Sequence, residues 1–270
     1  MAGVGLVPGK LTEVTALRDT LEAGDGAHED GGEGGARPGR LVAVAGLCGG
    51  AGASTLAYLL CCAAIDGGRR PVLCVDATGR GGIAVWAGTQ LGMSFARASV
   101  ELEAGRRPAP DRLFAISKDG VRVLSGVPSL ERPVPAACGA GRLLADAQAA
   151  HALTVVDCGT LAGEYERLAL GSAGHVLLVV PASGSGMERG ARLAAQALEV
   201  CAAGARVALI ARLDGRERKA PVSELAAMAD RLSAGLVLLP HIDHLHQRPA
   251  ARALEHAQLA LQALQGVLAR

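Results

Sequence analysis

Residues 45–57 read AGLCGGAGASTLA, directly after the apolar run LVAV. Glycines permit the positive φ angles that turn successive backbone N–H groups toward one point. A helix that starts behind such a loop adds the positive end of its dipole, and the combination attracts phosphate oxygens. Hydroxyl groups on the first helical turn add ligands for Mg²⁺. The pattern favours a phosphate-binding loop over a tight β–α turn with a Ser/Thr cap, and its residues are Gly49, Gly50, Ala51, Gly52, Ala53, Ser54 and Thr55.

The first pattern to compare is the P-loop, G-x-x-x-x-G-K-[ST]. Gly52 and Ser54 align with its last glycine and its hydroxyl. Ala53 then stands at the lysine and Leu47 at the first glycine, so the match is incomplete.

The second pattern is the dinucleotide fingerprint G-x-G-x-x-G. It begins at Gly50 and Gly52, but Thr55 stands at the third glycine. Asp76, at the end of the next apolar run, would then bind a ribose hydroxyl, and the protein would be a Rossmann-type NAD(P)-binding enzyme.

Asp157 favours the P-loop over the dinucleotide site. It ends the apolar run LTVV, and Gly159 follows two residues later. A carboxylate at the end of a buried parallel strand lies at the carboxyl edge of the sheet, beside the loop. The alternative is an aspartate that caps the next helix. We predict that Ser54 and Asp157 hold Mg²⁺.

The elements that must position these residues alternate along the chain. Half of the sequence is hydrophobic but only 2% is aromatic, so the core must be built from Ala, Val and Leu. Apolar strands separated by helix-length segments predict an α/β fold, with a mostly parallel sheet and helices on both faces. Residues 77–120 are less regular and are expected to carry short helices or a loop. The predicted strands are 41–46, 71–76, 121–126, 153–159, 175–182, 206–212 and 235–240.

The first 39 residues differ from the rest. LTEVTALRDTLEA has helical spacing of its apolar residues, but GDGAHEDGGEGGARPGR is polar and rich in glycine. Such a segment buries too little apolar surface to order itself. We predict a flexible tail over 1–39 with a possible short helix, and a single nucleotide-binding domain over 40–270.

The composition indicates a cellular compartment and limits the classes of partner. Seven cysteines occur without a C-x-x-C spacing, which is typical of reduced, buried thiols in a cytoplasmic protein. The net charge is +1 and the arginines are scattered, so direct binding of nucleic acid is not predicted. No apolar run approaches the ~20 residues that span a bilayer, so we expect membrane contact only through partners.

With the loop, Asp76 and Asp157 placed, residues 40–270 resemble the MinD/ParA group of P-loop ATPases. The deviant loop of that group, K-G-G-x-G-K-[ST]-T, corresponds to CGGAGAST at 48–55. The resemblance implies a three-layer P-loop NTPase fold, ATP and Mg²⁺ as ligands, a homodimer, and nucleotide contacts from Asp76 and Arg212. Within the group the sequence is most similar to TadZ/CpaE pilus-assembly proteins and to septum-site-determining (Ssd-like) proteins. The implied partners are a secretion or pilus ATPase, or a division-site protein.

The sequence departs from the group at four functional positions. Cys48 replaces the signature lysine of the group, and Ala53 replaces its loop lysine. Thr78 replaces the second aspartate of the D-x-D motif, and Ala211 replaces the asparagine that contacts adenine. Loss of one preorganised charged donor lowers a rate by about 10²–10³. We therefore expect ATP binding with weak or absent hydrolysis, and a role as a localisation or assembly factor. The alternative is an active ATPase in which arginines such as Arg80 compensate.

Overall fold

A computed structural model describes residues 39–89, 92–125, 138–213 and 221–242 of the 270. Within them the chain forms one sheet of eight strands, in the order β3-β4-β2-β5-β1-β6-β7-β8. All neighbouring strands are parallel except β3 and β4, which are antiparallel. The strands are β1 (Arg40–Gly46), β2 (Val72–Asp76), β3 (Ala115–Ile116), β4 (Arg122–Leu124), β5 (Leu153–Asp157), β6 (His175–Pro181), β7 (Arg206–Arg212) and β8 (Gly235–Leu239).

Helices cover both faces of this sheet. Leu41, Ala43 and Ala45 of β1 point to one apolar cluster, and Val42 and Val44 point to the other. The second cluster lies under α1 and α2, and the first lies under α3 and α5 to α8. The predicted three-layer α/β fold is therefore confirmed. The helices are α1 (Ala53–Asp66), α2 (Gly82–Ala87), α3 (Phe95–Glu103), α4 (Pro110–Leu113), α5 (Cys138–Ala150), α6 (Glu164–Ser172), α7 (Gly184–Val200) and α8 (Val222–Arg231).

The seven predicted strands all form, and their bounds differ from the prediction by at most three residues at either end. The central strands β1, β2, β5 and β6 are buried on both faces, as nearly continuous apolar runs indicate. The expected short helices of the 77–120 region are α2, α3 and α4. The strand β3 was not predicted. The proposed tail, apart from Gly39, and the chain beyond residue 242 lie outside the described residues.

The strand order decides against a dinucleotide-binding Rossmann fold. In that fold β2 lies next to β1. Here β5 lies between them, with Asp157 paired to Val44 on one side and to Asp76 on the other. The NAD(P) alternative is therefore wrong at the level of the fold. The same insertion brings Asp157 directly beside the strand that leads into the loop.

The seven cysteines are all free thiols, as predicted. Five of them are buried, Cys201 is half-buried and Cys138 is exposed. Among the described helices, none is long and apolar enough to cross a membrane.

Close approach of α5 to α3 depends on Gly139. A Cβ at this position would lie 2.0 Å from the carbonyl oxygen of Ser99, whereas one at Gly141 of the same helix would meet nothing within 4 Å. We expect Gly139→Ala to lower the free energy of unfolding by about 1–3 kcal/mol through overpacking. Gly141→Ala is the control and is expected to raise it by up to about 1 kcal/mol. Urea unfolding of both variants measures the difference; equal effects would contradict the packing argument.

Candidate functional site

Hydrogen bonds to the chain of β6 and to the residues that follow β5 hold the loop between β1 and α1 at the carboxyl edge of the sheet. The amide of Gly46 donates to the carbonyl oxygen of Gly159 at 2.6 Å, and the amide of Leu47 donates to that of Val179 at 2.8 Å. Gly50 and Gly52 have φ angles of 74° and 101°. The predicted use of glycine for positive φ is therefore confirmed at these two positions.

Helix α1 begins at Ala53 with Gly52 as its N-cap, and no side chain of the described residues makes a cap hydrogen bond there. The alternative of a β–α turn capped by a serine or threonine side chain is therefore wrong. An uncapped first turn leaves backbone N–H groups to other acceptors, and it presents the positive end of the helix dipole to them. Ser54 and Thr55 lie on this first turn, as predicted.

Two glycines at opposite ends of α1 allow the loop to be tested separately from backbone strain. Gly52 precedes the helix with φ 101°, and Gly68 follows it with φ 80°. We expect alanine at either position to lower the free energy of unfolding by about 1–2 kcal/mol, because both angles strain a residue with a Cβ. Only Gly52→Ala should also weaken nucleotide binding, by about 10- to 100-fold as loop N–H contacts are lost. Calorimetric titration of both variants checks this, and equal binding would contradict it.

Asp157 is a fully buried carboxylate with one oxygen unsatisfied. Its Oδ1 accepts a hydrogen bond from the amide of Gly159 at 3.0 Å, while Oδ2 has no partner among the described residues. Burial raises the pKa of this carboxyl from 3.8 to about 6, against the opposing effects of the Ser54 hydroxyl and the Gly159 amide. The negative charges of Asp76 and Glu166 raise it further. A cation near Oδ2 would offset these costs, and oxygen ligands of this kind suit Mg²⁺.

Asp76 lies next to Asp157 but has both oxygens engaged. Its Oδ1 accepts hydrogen bonds from the amide of Thr78 at 3.0 Å and from the Thr78 hydroxyl at 2.6 Å. Its Oδ2 accepts one from the Ser125 hydroxyl at 3.1 Å. The carboxylate therefore orders the turn after β2. The same turn holds a further hydrogen bond, which the amide of Arg80 donates to Thr78 Oγ1 at 3.1 Å. Arg80 is an exposed residue.

A pocket of about 300 Å³ opens beside the loop, at the carboxyl ends of β6, β7 and β8. It brings together four of the predicted site residues, at positions 50, 52, 55 and 212, with residues that the sequence did not identify. Trp86 is the most informative of these, because it is the only tryptophan of the chain. The lining residues are Gly50, Gly52, Thr55, Leu56, Leu59, Trp86, Val179, Arg212, Leu213, Leu239, Pro240, His241 and Ile242.

Comparison with solved structures identifies the fold. MinD from Pyrococcus horikoshii, complexed with Mg-ADP, is 17% identical to this chain and superposes with a TM-score of 0.64. The aligned region covers 84% of this chain and 95% of the MinD chain. A ParA family ATPase from Chlorobium tepidum is 14% identical with a TM-score of 0.63, covering 86% and 98%. The chain has the fold of the MinD/ParA ATPases. Cobyrinic acid a,c-diamide synthase from Mycobacterium smegmatis is also similar, at 19% identity and a TM-score of 0.60, covering 82% and 92%. No protein-family model and no curated protein matches the sequence.

Of the four positions at which the resemblance predicts lost polar groups, three are packed among apolar side chains. Cys48 is 9% exposed and Ala53 is 7% exposed, and both belong to the cluster under α1. Ala211 is fully buried in β7. Thr78, at the position of the second aspartate, donates its hydroxyl to Asp76. None of these four side chains offers a charge to a ligand.

Proposed function

We propose that the chain binds ATP together with Mg²⁺ through the loop and the adjoining pocket. The observation that carries this proposal is the buried Oδ2 of Asp157, which has no hydrogen-bond partner in the part of the chain that the structure describes. Ser54, at the start of α1, is near this carboxylate. The residues assigned to the phosphates are those of the loop, and Ser54 and Asp157 would hold Mg²⁺. The pocket would take the nucleoside, because its lining offers apolar surface for a flat base.

Two solved structures of similar fold support the choice of ligand. MinD from Pyrococcus horikoshii was solved with Mg-ADP, and the Mycobacterium smegmatis synthase with an ATP analogue and magnesium. We assign Asp76 a positioning role in the proposed site. Its carboxylate binds Thr78 and Ser125 and so holds the turn beside Asp157, and Asp76 is not among the residues that line the pocket.

We propose further that hydrolysis is weak or absent. Phosphoryl transfer depends on charge and positioning, and the two lysines and the second aspartate of the group are replaced here by uncharged side chains. Binding is less affected, because the loop amides and the pair of Ser54 and Asp157 remain. The protein would therefore use nucleotide as a structural ligand.

The cellular role that fits these properties is a cytoplasmic localisation or assembly factor of TadZ/CpaE or Ssd-like type, acting as a homodimer. A complex of MinC with MinD from Aquifex aeolicus shares the fold at 16% identity and a TM-score of 0.63, which supports action through a protein partner. The partner would be a secretion or pilus ATPase, or a division-site protein. Recruitment to a membrane or cell pole would then depend on that partner.

Calorimetric titration with ATP, ADP and NADH, each with and without Mg²⁺, tests the proposal. Trp86 provides a second readout, because a ligand in the pocket changes the surroundings of the single indole. We expect Mg²⁺-dependent binding of the adenine nucleotides and none of NADH. Absence of binding by any nucleotide would refute the proposal.

A further inference from the structure

Arg212 ends β7 and lies against the start of the loop helix. A Cβ built on Gly52 would be 3.5 Å from Arg212 Cδ and 3.8 Å from its Nε. The carbonyl oxygen of Arg212 accepts a hydrogen bond from the amide of Ala182 at 2.9 Å, so the backbone is fixed between β6 and β8. The side chain lines the pocket together with Thr55. The arginine therefore reaches the phosphate loop from the nucleoside side.

The surroundings of this arginine favour the binding of an anion. Its Nε is buried without a hydrogen-bond partner, and the described part of the chain offers it no ion pair. It lies beside Gly52, where the uncapped first turn of α1 presents the positive end of the helix dipole. Two positive features in contact repel each other, and a buried donor without an acceptor is unfavourable. A phosphate group between them would satisfy both.

The neighbouring sequence explains why the arginine matters. Ala53 occupies the position that the resemblance assigns to the loop lysine, and no lysine stands in the loop or among the described residues that line the pocket. Building on the proposed nucleotide site, we infer that Arg212 supplies the phosphate-binding positive charge that the loop lacks. Because this charge comes from the nucleoside side, it acts on the phosphates nearest the nucleoside. The site therefore binds a nucleoside diphosphate as tightly as the triphosphate.

The test measures affinities for adenosine, ADP and ATP, with Mg²⁺, in Arg212→Gln, Arg212→Lys and the control Arg192→Gln. Arg192 is exposed on α7, on the opposite face of the sheet from α1. We expect Arg212→Gln to weaken ADP binding by about 10- to 100-fold, the effect of losing a charged hydrogen bond, and to leave adenosine binding unchanged. Arg212→Lys keeps most of the ADP affinity, and Arg192→Gln keeps all of it. Adding Ala53→Lys to Arg212→Gln restores ADP binding.

The outcomes separate this inference from the proposed function. If the unchanged protein binds no nucleotide, the proposed function fails. If it binds ADP and Arg212→Gln binds equally well, the role of Arg212 is refuted and the proposed function stands. An equal loss of adenosine and ADP binding would also refute it, because the residue would then serve the base or the fold. Binding of ATP ten times more tightly than ADP by the unchanged protein would refute the equal affinity for diphosphate and triphosphate. Thermal unfolding verifies that each variant is folded. If Arg212→Gln is not folded, Arg212→Met takes its place in every comparison, because it removes the charge and keeps the apolar stem of the side chain.

Discussion

Asp157→Asn is expected to abolish Mg²⁺-dependent nucleotide binding while stabilising the ligand-free protein at neutral pH. The carboxylate is fully buried, and its Oδ2 has no hydrogen-bond partner in the described residues. Burial raises the pKa of this carboxyl to about 6, because a buried negative charge is unfavourable. The asparagine carries no charge, so this unfavourable contribution to stability is removed. The same change removes the oxygen charge that Mg²⁺ requires. Opposite effects on stability and binding are the signature of a site kept for a ligand rather than for the fold.

The stability effect has a defined pH window. The pKa of Asp157 is about 6 in the folded protein, against an ordinary value of 3.8. Between these values the folded state holds a proton that the unfolded state has released, so the stability of the unchanged protein falls as pH rises from about 4 to 6. The loss amounts to about 3 kcal/mol at pH 7, from roughly two pKa units. We expect this part of the pH dependence to be missing in Asp157→Asn.

Thermal unfolding at pH 5 and pH 8 without Mg²⁺, followed by titration with Mg-ATP, measures both effects. Asp230→Asn is the matched control, because Asp230 is exposed on α8 and its replacement should change neither quantity by much. Mg²⁺-dependent binding that survives in Asp157→Asn would overturn the assignment of this residue as a metal ligand. A variant less stable than the unchanged protein at pH 8 would overturn the account of its pKa.

The sequence predicted the sheet and the carboxylate because both depend on local patterns. The run at 153–156 reads LTVV and carries no charge, so Asp157 stands out at its end. Strand β3 was not predictable, because Ala115–Ile116 has only two residues and its place at the sheet edge depends on pairing with β4. Helix α5 was not singled out either, although it packs against α3 through Gly139.

The pocket could not be predicted for a topological reason. Its lining joins residues near positions 50, 86, 212 and 240, which are far apart in sequence. They meet because β1, β6, β7 and β8 are consecutive in the sheet and because α2 packs against α1. Trp86 carried no local signal of a site, since a lone aromatic residue on a six-residue helix is usually packed in a core. The contact between Arg212 and the loop has the same origin. Motif comparison identified the residues, and the strand order determines how they act together.

Ala53→Lys is expected to raise ATP turnover by about 10²-fold over the unchanged protein, the usual effect of one preorganised charged donor. Ala53 is the first residue of α1 and lies between Gly52, at the pocket, and Ser54, near Asp157. A lysine here would bring charge to the β- and γ-phosphates, whereas Arg212 would approach the phosphates from the side of the pocket. Phosphate release at saturating Mg-ATP measures the change, with affinity for ATP followed in parallel.

The control for this gain is Ala149→Lys, which adds the same charge at an exposed position near the end of α5. That end of the helix leads into β5, at the amino edge of the sheet, so the added lysine lies away from the loop. Measurable turnover by the unchanged protein that Ala53→Lys does not raise would favour the alternative, in which an arginine already stabilises the transition state. Arg80→Gln would then identify that arginine, because Arg80 lies in the turn held by Asp76 and Thr78. A gain in Ala53→Lys that is absent from Ala149→Lys would instead locate the missing catalytic charge at the start of α1.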